Sequence, residues 1–311
     1  MKKFLLYYNT TDLINSVFFL LLTAAVILWA PHVPHWYLFA AGNLLLVALV
    51  GFLAHIAARR GHFWNLLHGY YLLLCVPLAF KEMYHLVPAI HQVDYDAALI
   101  AIDRMIFGFD PTHWTMAWSS PLLTEILQIA YGTYYFLPLI LTIDLYRKKR
   151  VRAFKHVFLF VMLGFYLSYI GYVAVPGIGP RFTLHEFADK DAELPGLLVT
   201  TFLRDNTNAG ESIPRGTAYP AAKVQRDVFP SGHTEMTLIV MLIAFRYRAR
   251  TRWLLLVGGS LLIIATVYLR YHYVIDLIAG ATLAWLTLEL GGYLDERWTR
   301  WREKTARTLA T

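Results

Sequence analysis

Residues 229–234, Phe-Pro-Ser-Gly-His-Thr, can place an acid–base group at the start of a helix. Serine is a favourable N-cap, and glycine lets a ligand come close to the backbone. The free N–H groups and the dipole of a helix that begins here would attract an anion, with His233 in the first turn beside it. A simple helix cap followed by a histidine of no chemical role is the alternative that this segment leaves open.

His272 and Asp276 are four residues apart in a second polar segment, 270–276, Arg-Tyr-His-Tyr-Val-Ile-Asp. If a helix already includes His272, the two side chains share a face and the carboxylate can accept a hydrogen bond from one imidazole nitrogen. That bond fixes the tautomer and makes the other nitrogen more basic, as a nucleophile or a general base requires. A pair that merely satisfies its own hydrogen bonds is the competing interpretation.

Eight apolar runs of about the length needed to cross a bilayer must position these residues. They are 13–30, 36–58, 63–86, 121–145, 156–175, 232–249, 253–271 and 274–293. The first follows Lys2 and Lys3, as a secretory signal would, but it ends in Trp-Ala-Pro without a small-residue cleavage site. We therefore expect it to be retained as a membrane span.

The composition agrees with an integral membrane protein. Of 311 residues, 58% are apolar and 16% are charged, against roughly 25% charged in soluble proteins. The net charge is +7, and 19 of the 28 basic residues fall on one side if both termini are cytoplasmic. This positive-inside distribution makes the charge a topology signal rather than a sign of a nucleic-acid partner. Both polar segments then lie on the extracytoplasmic side. The single cysteine, Cys75, cannot form an intrachain disulfide.

Two stretches are too polar to span the membrane. Within 87–120, acidic and apolar residues alternate in a pattern that predicts an amphipathic helix at 94–107 on the outer surface, closed by Gly108. Residues 176–230 form the longest connection and hold six of the thirteen prolines. Because long loops in compact proteins are usually functional or disordered, we predict that 176–230 is an active-site loop.

Together, the two motifs resemble those of the type 2 phosphatidic acid phosphatase superfamily, which shares its core with vanadium haloperoxidases. The Pro-Ser-Gly-His of that family is matched by residues 230–233, and its later His-x-x-x-Asp by His272 and Asp276. Tyr273 and Gly280 also stand in familiar places.

The resemblance, which covers roughly residues 121–293, implies an all-α fold with a six-helix core. We accordingly predict two N-terminal transmembrane helices in 1–62, a catalytic core in 63–296 and a cytoplasmic basic tail in 297–311.

The resemblance also implies a two-step phosphoryl transfer. His272, oriented by Asp276, attacks phosphorus and forms a phosphohistidine. His233 protonates the leaving oxygen and then activates the acceptor, which is water or a lipid hydroxyl. Ser231 and the N–H of Gly232 bind phosphate oxygens. No metal or other cofactor is implied, because protein groups supply the positive charge that phosphoryl transfer needs.

Two departures from the family pattern concern its phosphate-binding basic residues. Where the family has Ser-Arg before the nucleophile, this chain has Ala265 and Thr266, so Arg270 is the natural substitute. The first family motif, a lysine followed by Arg-Pro, is missing, and Arg181 is assigned in its place. This divergence, the two extra N-terminal spans and the segment 102–111 are similar to the branch that contains fungal inositol phosphorylceramide synthase. That branch transfers a phosphorylated head group between lipids.

Three side chains near the Pro-Ser-Gly-His turn have open roles. Lys223 and Arg226 can reach a phosphate or a lipid head group, although solvated loop charges are the default. Glu235 can support His233 or pair with a neighbouring helix. The other ten histidines are scattered, many of them near span ends, and we expect no metal site among them.

Three functions remain possible on this sequence. The first is a lipid phosphotransferase with a lipid alcohol as acceptor, and the second is a phosphatase that hydrolyses phosphatidic acid or a polyprenyl phosphate. The third is a transporter, which broken spans in corresponding halves would favour, and we expect none. The expected partners are a lipid phosphate and the bilayer. The sequence specifies neither the lipid nor the oligomeric state.

Overall fold

Long apolar runs become helices throughout this chain, because a helix satisfies its backbone hydrogen bonds within its own segment. The computed structural model describes residues 2–310, and within that range there is no β-strand. The first ten helices are α1 (Lys2–Leu5), α2 (Thr10–Leu28), α3 (Trp36–Ala57), α4 (His62–Tyr70), α5 (Leu72–Ile90), α6 (Asp96–Phe107), α7 (Pro111–Met116), α8 (Pro121–Gly132), α9 (Phe136–Arg147) and α10 (Val151–Ala174). The others are α11 (Pro180–Thr183), α12 (Lys190–Glu193), α13 (Thr200–Gly210), α14 (Pro220–Lys223), α15 (Gly232–Arg246), α16 (Arg252–Tyr268) and α17 (Val274–Ala310).

Five helices are long and apolar enough to cross a membrane: α2, α3, α4 with α5 as one span, α10 and α17. The bent pair of α8 and α9 makes a sixth if it is counted as one span. The shorter helices α15 and α16 pack against each other, α15 also against α10 and α17, and α16 also against α8. Helices cover most of each of the eight predicted apolar runs, and the predicted all-α integral membrane fold is confirmed.

The run predicted at 121–145 is broken. α8 and α9 meet at an angle of 57° across a gap of three residues. Pro138 lies in the first turn of α9, where its missing N–H costs nothing, whereas in a helix interior it would break a hydrogen bond and clash with an earlier carbonyl. Within residues 2–310 this is the one bent pair, so it does not form the broken spans in corresponding halves that would favour a transporter.

α10 lies at the centre of the bundle and contacts α2, α5, α9, α15 and α17. Two buried apolar clusters meet on it. One includes Phe19, Met83 and Tyr166 and joins α10 to α2 and α5, and the other includes Ile239 and Leu262 and joins it to α15 and α16. The N-terminal span α2 thus packs against α10, which in turn contacts α15 and α17, the helices that begin at the two motifs.

α6 lies within the segment 94–107 that was predicted to be an interfacial helix, and its acidic residues face the protein. Asp103 is buried, whereas Met105 is 77% exposed. The Asp103 carboxylate accepts hydrogen bonds from the backbone N–H groups of Val274 and Ile275, both at 2.8 Å. A carboxylate at free first-turn N–H groups is stabilised by the helix dipole. α6 therefore caps α17, the helix that carries Asp276.

The connection 176–230 is built from the short helices α11 to α14 and covers the end of the bundle where the two motifs lie. Glu125 in α8 anchors it by accepting hydrogen bonds from the backbone N–H groups of Leu197 at 2.8 Å and Val199 at 2.7 Å. At the other end of the fold, α17 continues unbroken for 37 residues, so residues 297–310 of the predicted tail extend the last span.

Candidate active site

The Pro-Ser-Gly-His segment forms the start of α15. Ser231 is the N-cap, and its Oγ accepts a hydrogen bond from the backbone N–H of Thr234 at 3.3 Å. The Ser231 N–H donates to the carbonyl oxygen of Asp276 at 3.0 Å, so the first turns of α15 and α17 meet. A Cβ at Gly232 would lie 2.5 Å from the buried hydroxyl of Tyr172, so any larger residue there would have to displace that ring.

A helix-ending turn presents His272. At the end of α16, the N–H of Tyr271 donates to the carbonyl of Thr266 at 2.9 Å, and the N–H of Arg270 to that of Val267 at 3.0 Å. This pair of bonds closes a helix through one left-handed residue, usually glycine. Here that residue is Arg270, with φ of 67°, at a cost of roughly 1–2 kcal/mol. The backbone conformation that presents His272 therefore lowers the stability of the fold.

The link between His272 and Asp276 differs from the shared helix face that their spacing suggested. Since α17 begins at Val274, His272 precedes the helix. Its Nδ1 lies 2.8 Å from the carbonyl oxygen of Val228 and 3.4 Å from Oδ2 of Asp276, which also accepts the Tyr273 N–H at 2.8 Å. Because a carbonyl oxygen only accepts hydrogen bonds, we assign the proton to Nδ1 and the lone pair to Nε2.

The free nitrogen of His272 faces His233. The two atoms concerned, Nε2 of His272 and Nδ1 of His233, are 3.5 Å apart. The His233 ring stacks on Tyr131, with centroids 4.6 Å apart, and lies against Tyr134 at 4.2 Å. The fold thus brings together two imidazoles from separate motifs. Such a pair can act as nucleophile and acid–base group on one bound molecule.

Buried cations gather around Tyr271, which stacks on Tyr131 at 4.4 Å. The Arg181 guanidinium carbon and the Lys190 Nζ lie 4.8 and 3.9 Å from the Tyr271 ring centroid. Lys190 is 3% exposed, and its amino group has no hydrogen-bond partner in residues 2–310. Burial, with the nearby arginines, lowers the pKa of Lys190 well below its usual value. A bound anion would reverse that effect by stabilising the ammonium form.

Arg181 and Arg270 both lie at this site but have different partners. The Arg181 N–H donates to the Arg270 carbonyl at 3.1 Å, which ties the outer connection to the His272 turn. The Arg181 guanidinium pairs with Glu211, and the Arg270 guanidinium pairs with Glu193. Nε of each arginine, and Nη2 of Arg270, have no partner in the described part of the chain. Both arginines retain donors for a phosphate.

The two remaining predicted phosphate contacts lie in the outer connection. Arg226 is bonded to Asp94, with Nε 3.2 Å from Oδ1, and Lys223 is exposed. Within residues 2–310, no hydrogen bond or ion pair links either side chain to His233 or His272. The described residues also include no group of three or more His, Cys, Asp or Glu side chains arranged to hold a metal ion.

Glu235 takes the second of its two expected roles and pairs with neighbouring helices. It is fully buried, and it accepts hydrogen bonds from the hydroxyls of Ser168 in α10 and of Thr287 in α17, the latter at 2.8 Å. The side chain therefore joins α15 to both neighbours, which holds the helix that carries His233.

Asp227 and Lys190 lie near the two histidines and their aromatic neighbours, and the sequence did not single them out. Asp227 is half-buried and directly precedes Val228. Burial lowers the pKa of His272 to about 4, against the opposing effect of the Asp227 carboxylate. Burial also raises the pKa of Asp227 itself. Its one sequence signal is its position shortly before the Pro-Ser-Gly-His motif.

We expect activity to fail in acid as His272 gains a proton. The neutral ring has its lone pair on Nε2, and protonation removes that lone pair. Because the pKa of His272 is lowered to about 4, protonation of this ring should make kcat/KM fall about tenfold per unit only below about pH 4. A pH–rate profile of the purified protein measures this. An acid limb centred near the ordinary histidine pKa of about 6.5 would contradict the assignment.

Gly280 lets α17 approach the start of α15. A Cβ there would lie 2.5 Å from the carbonyl oxygen of Ser231, and a backbone atom cannot turn aside. We expect Gly280→Ala to destabilise the protein by about 1–3 kcal/mol and to lower activity. The matched control in the same helix is Gly292→Ala, where a Cβ meets nothing within 4 Å, so it should be neutral or stabilising. Equal thermal unfolding temperatures for the two variants would contradict the prediction.

Comparison with known proteins identifies the family of the chain. Residues 97–290 match the family model described as the PAP2 superfamily. The chain belongs to the PAP2 superfamily. The matched region runs from α6 into α17, so it includes both histidines and the outer connection. The PAP2 superfamily predicted from the two motifs is confirmed, and it supports the predicted enzyme class, a phosphatase or phosphotransferase.

A curated PAP2 relative is a PA-phosphatase related-family protein of Dictyostelium discoideum. The two chains are 25% identical over an alignment of 188 positions, and the match covers 55% of this chain and 32% of the relative. The chain therefore spans about a third of the length of the curated relative that it matches. No solved structure matched the chain.

Proposed function

We propose that the protein is a membrane-embedded lipid phosphotransferase that acts through a phosphohistidine at His272. One observation carries the proposal: the free Nε2 of His272 faces Nδ1 of His233 at 3.5 Å, at the start of α15. The buried Arg181 is bonded to the same turn through the Arg270 carbonyl. Phosphoryl transfer to a side chain requires a lone pair on the nucleophile, an acid–base group for the leaving oxygen, and positive charge near the phosphate oxygens.

In the first step, Nε2 of His272 forms a bond to phosphorus while the bond from phosphorus to the leaving oxygen breaks. His233, which must carry a second proton when the substrate is bound, gives that proton to the leaving oxygen and becomes neutral. The hydroxyl of Ser231, the N–H of Gly232 and the guanidinium of Arg181 stabilise the charge on the phosphate oxygens. Donors at a helix N-terminus suit this role because they need no reorganisation as the charge develops.

Binding must first separate the two imidazoles, because a distance of 3.5 Å between their nitrogens leaves no room for a phosphoryl group. His233 is held mainly by stacking on Tyr131 and Tyr134. His272 is held by the hydrogen bond to the Val228 carbonyl. We therefore expect His233 to be the ring that moves.

In the second step, the neutral His233 takes a proton from the acceptor hydroxyl. The acceptor oxygen bonds to phosphorus as the bond from phosphorus to Nε2 of His272 breaks, which restores both rings. With a lipid alcohol as acceptor the product is a new phosphodiester or phosphomonoester. With water the same steps hydrolyse the substrate, and the protein would be a phosphatase.

An apolar cavity supports a lipid substrate. It has a volume of about 180 Å³ and lies among α5, α9, α10 and α15, with Leu73, Val161 and Phe165 in its lining. Tyr134 lines the same cavity and contacts the His233 ring at 4.2 Å. The cavity is thus one side chain away from the catalytic pair and can hold part of an acyl chain whose phosphate reaches His272.

The transferase form of the proposal, in the branch similar to inositol phosphorylceramide synthase, has its support in the sequence. Ala265 and Thr266 replace the Ser-Arg of the family, and α2 and α3 precede the region that matches the PAP2 model. The distribution of basic residues supports cytoplasmic termini, with the catalytic pair opening on the extracytoplasmic face.

A panel of phospholipids labelled in the head-group phosphate separates the two forms of the proposal. Each lipid is incubated with the purified protein, with and without a long-chain lipid alcohol. A new labelled lipid that forms only with the alcohol is the expected result. Free labelled phosphate in both reactions would show a phosphatase instead, and the absence of any product across the panel would contradict the proposed function.

A further inference from the structure

A cavity of about 820 Å³ lies at the end of the bundle opposite to the two histidines. It is open to solvent and is bordered by the segment before α2, the junction of α3 and α4, the turn between α9 and α10, and the end of α17. Five basic side chains take part in its lining: Arg147, Lys149, Arg150, Lys155 and Arg302. This cavity has no part in the chemistry at His272.

The five cations lack acidic partners. In residues 2–310, none of them has an Asp or Glu oxygen within 4.0 Å, although the adjacent Lys148 does pair with Asp144. Arg302 donates instead to the backbone carbonyl of Leu6 at 2.8 Å. Like charges that share a cavity without counterions repel one another, and an anion in the cavity would relieve that repulsion.

Asp12, the acidic residue behind the cavity lining, already has hydrogen-bond partners. Asp12 is fully buried, and its Oδ1 lies 2.8 Å from Nε2 of His68 and 3.1 Å from the hydroxyl of Tyr71, both of which line the cavity. Its other oxygen accepts the backbone N–H of Asn9 at 2.8 Å. Asp12 therefore does not neutralise the basic side chains.

The opposite wall of the cavity is apolar. It includes Ala54 and Ala57 of α3, Leu66 of α4, and Phe154 and Phe158 of α10. These residues belong to membrane spans, and the cations lie at the ends of those spans. Phosphate groups of lipids lie at the same depth as the ends of spans, with acyl chains beside the apolar helix faces.

We propose that this cavity binds the phosphate-bearing head group of an anionic phospholipid, with an acyl chain against the apolar wall. Basic pockets between transmembrane helices suit such head groups, and an uncharged lipid would not relieve the repulsion among the cations. A soluble phosphate compound shares the head-group chemistry but not the acyl chain. The proposal is independent of the reaction at His272.

The experiment uses the purified full chain in detergent with three probes: phosphatidylglycerol, phosphatidylcholine and inorganic pyrophosphate. Binding is followed by native mass spectrometry and by the thermal unfolding temperature, which rises when a ligand binds only the folded state. The cavity variant is Lys149→Gln with Lys155→Gln. The matched control is Arg246→Gln with Arg250→Gln, which removes two exposed charges at the same end of the bundle but outside the cavity.

We expect phosphatidylglycerol to bind and to raise the unfolding temperature, and phosphatidylcholine to do neither. The cavity variant should bind phosphatidylglycerol at least about tenfold more weakly than the control variant, because two of the five charges are gone. Without lipid, the cavity variant should be at least as stable as the wild type, since the repulsion is smaller. Equal weakening in both variants, or no binding of phosphatidylglycerol, would overturn the proposal. Binding of pyrophosphate alone would overturn the assignment to a lipid.

Discussion

Replacing His272 with alanine should abolish turnover and the covalent intermediate together. His272 is the ring whose Nε2 carries a free lone pair, since its Nδ1 proton is bonded to the Val228 carbonyl. We expect kcat to fall by at least about 10³-fold, because the nucleophile of a two-step transfer is removed. Protein incubated with a phosphate-labelled lipid and quenched in alkali should retain the label, and His272→Ala should not.

His91→Ala is the control for this experiment. His91 is a half-buried histidine at the C-terminal cap of α5, and it has no contact with His233 or His272 in the described residues. This variant should keep both the label and the turnover. Unchanged turnover in His272→Ala would overturn the mechanism, and retained label without turnover would assign the intermediate to another residue.

Removing the Arg181 guanidinium should produce the second largest loss. We expect Arg181→Gln to lower kcat/KM by about 10²–10³-fold, as the loss of one transition-state contact does at similar sites. However, Arg181 is buried and paired with Glu211, and a buried carboxylate left alone costs roughly 3–5 kcal/mol of stability. The double variant Arg181→Gln with Glu211→Gln removes both charges. It should regain thermal stability while kcat/KM stays low.

Arg215→Gln is the matched control in the same outer connection. Arg215 is exposed and paired with Asp205 at 3.1 Å, so its loss should change neither kcat/KM nor the unfolding temperature much. If the double variant at 181 and 211 regained full activity along with its stability, the role of Arg181 would be structural rather than electrostatic.

The spans could be predicted from sequence because apolar length alone specifies them, and the start of α15 because Ser231 is a favourable N-cap. Two features could not be predicted in this way. Pro138 lies inside an apolar run, so the hydropathy of the sequence does not indicate the bend between α8 and α9. The end of α16 depends on Arg270 in a left-handed conformation that sequence patterns associate with glycine.

Part of the candidate site could also be predicted, because it depends on short sequence motifs. His233 and His272 stand in short motifs with helix-terminal surroundings, so their types and spacing already indicated their chemistry. The basic residues differ in this respect. Arg226 and Arg181 look alike in the sequence, and each is paired with a carboxylate, but only Arg181 also packs against the Tyr271 ring beside the two histidines. Lys190 joins the site only through tertiary packing around that ring, which no pattern along the chain records.

The unbroken course of α17 has a mechanical consequence. Its 37 residues make a rod about 55 Å long, with Asp276 in its first turn and Arg302 near its other end. In a rigid rod of this length, a tilt of a few degrees about the middle would displace the two ends by about 2 Å in opposite directions. The Asp276 carboxylate beside His272 and the Arg302 side chain in the distant basic cavity are therefore joined by one continuous helix.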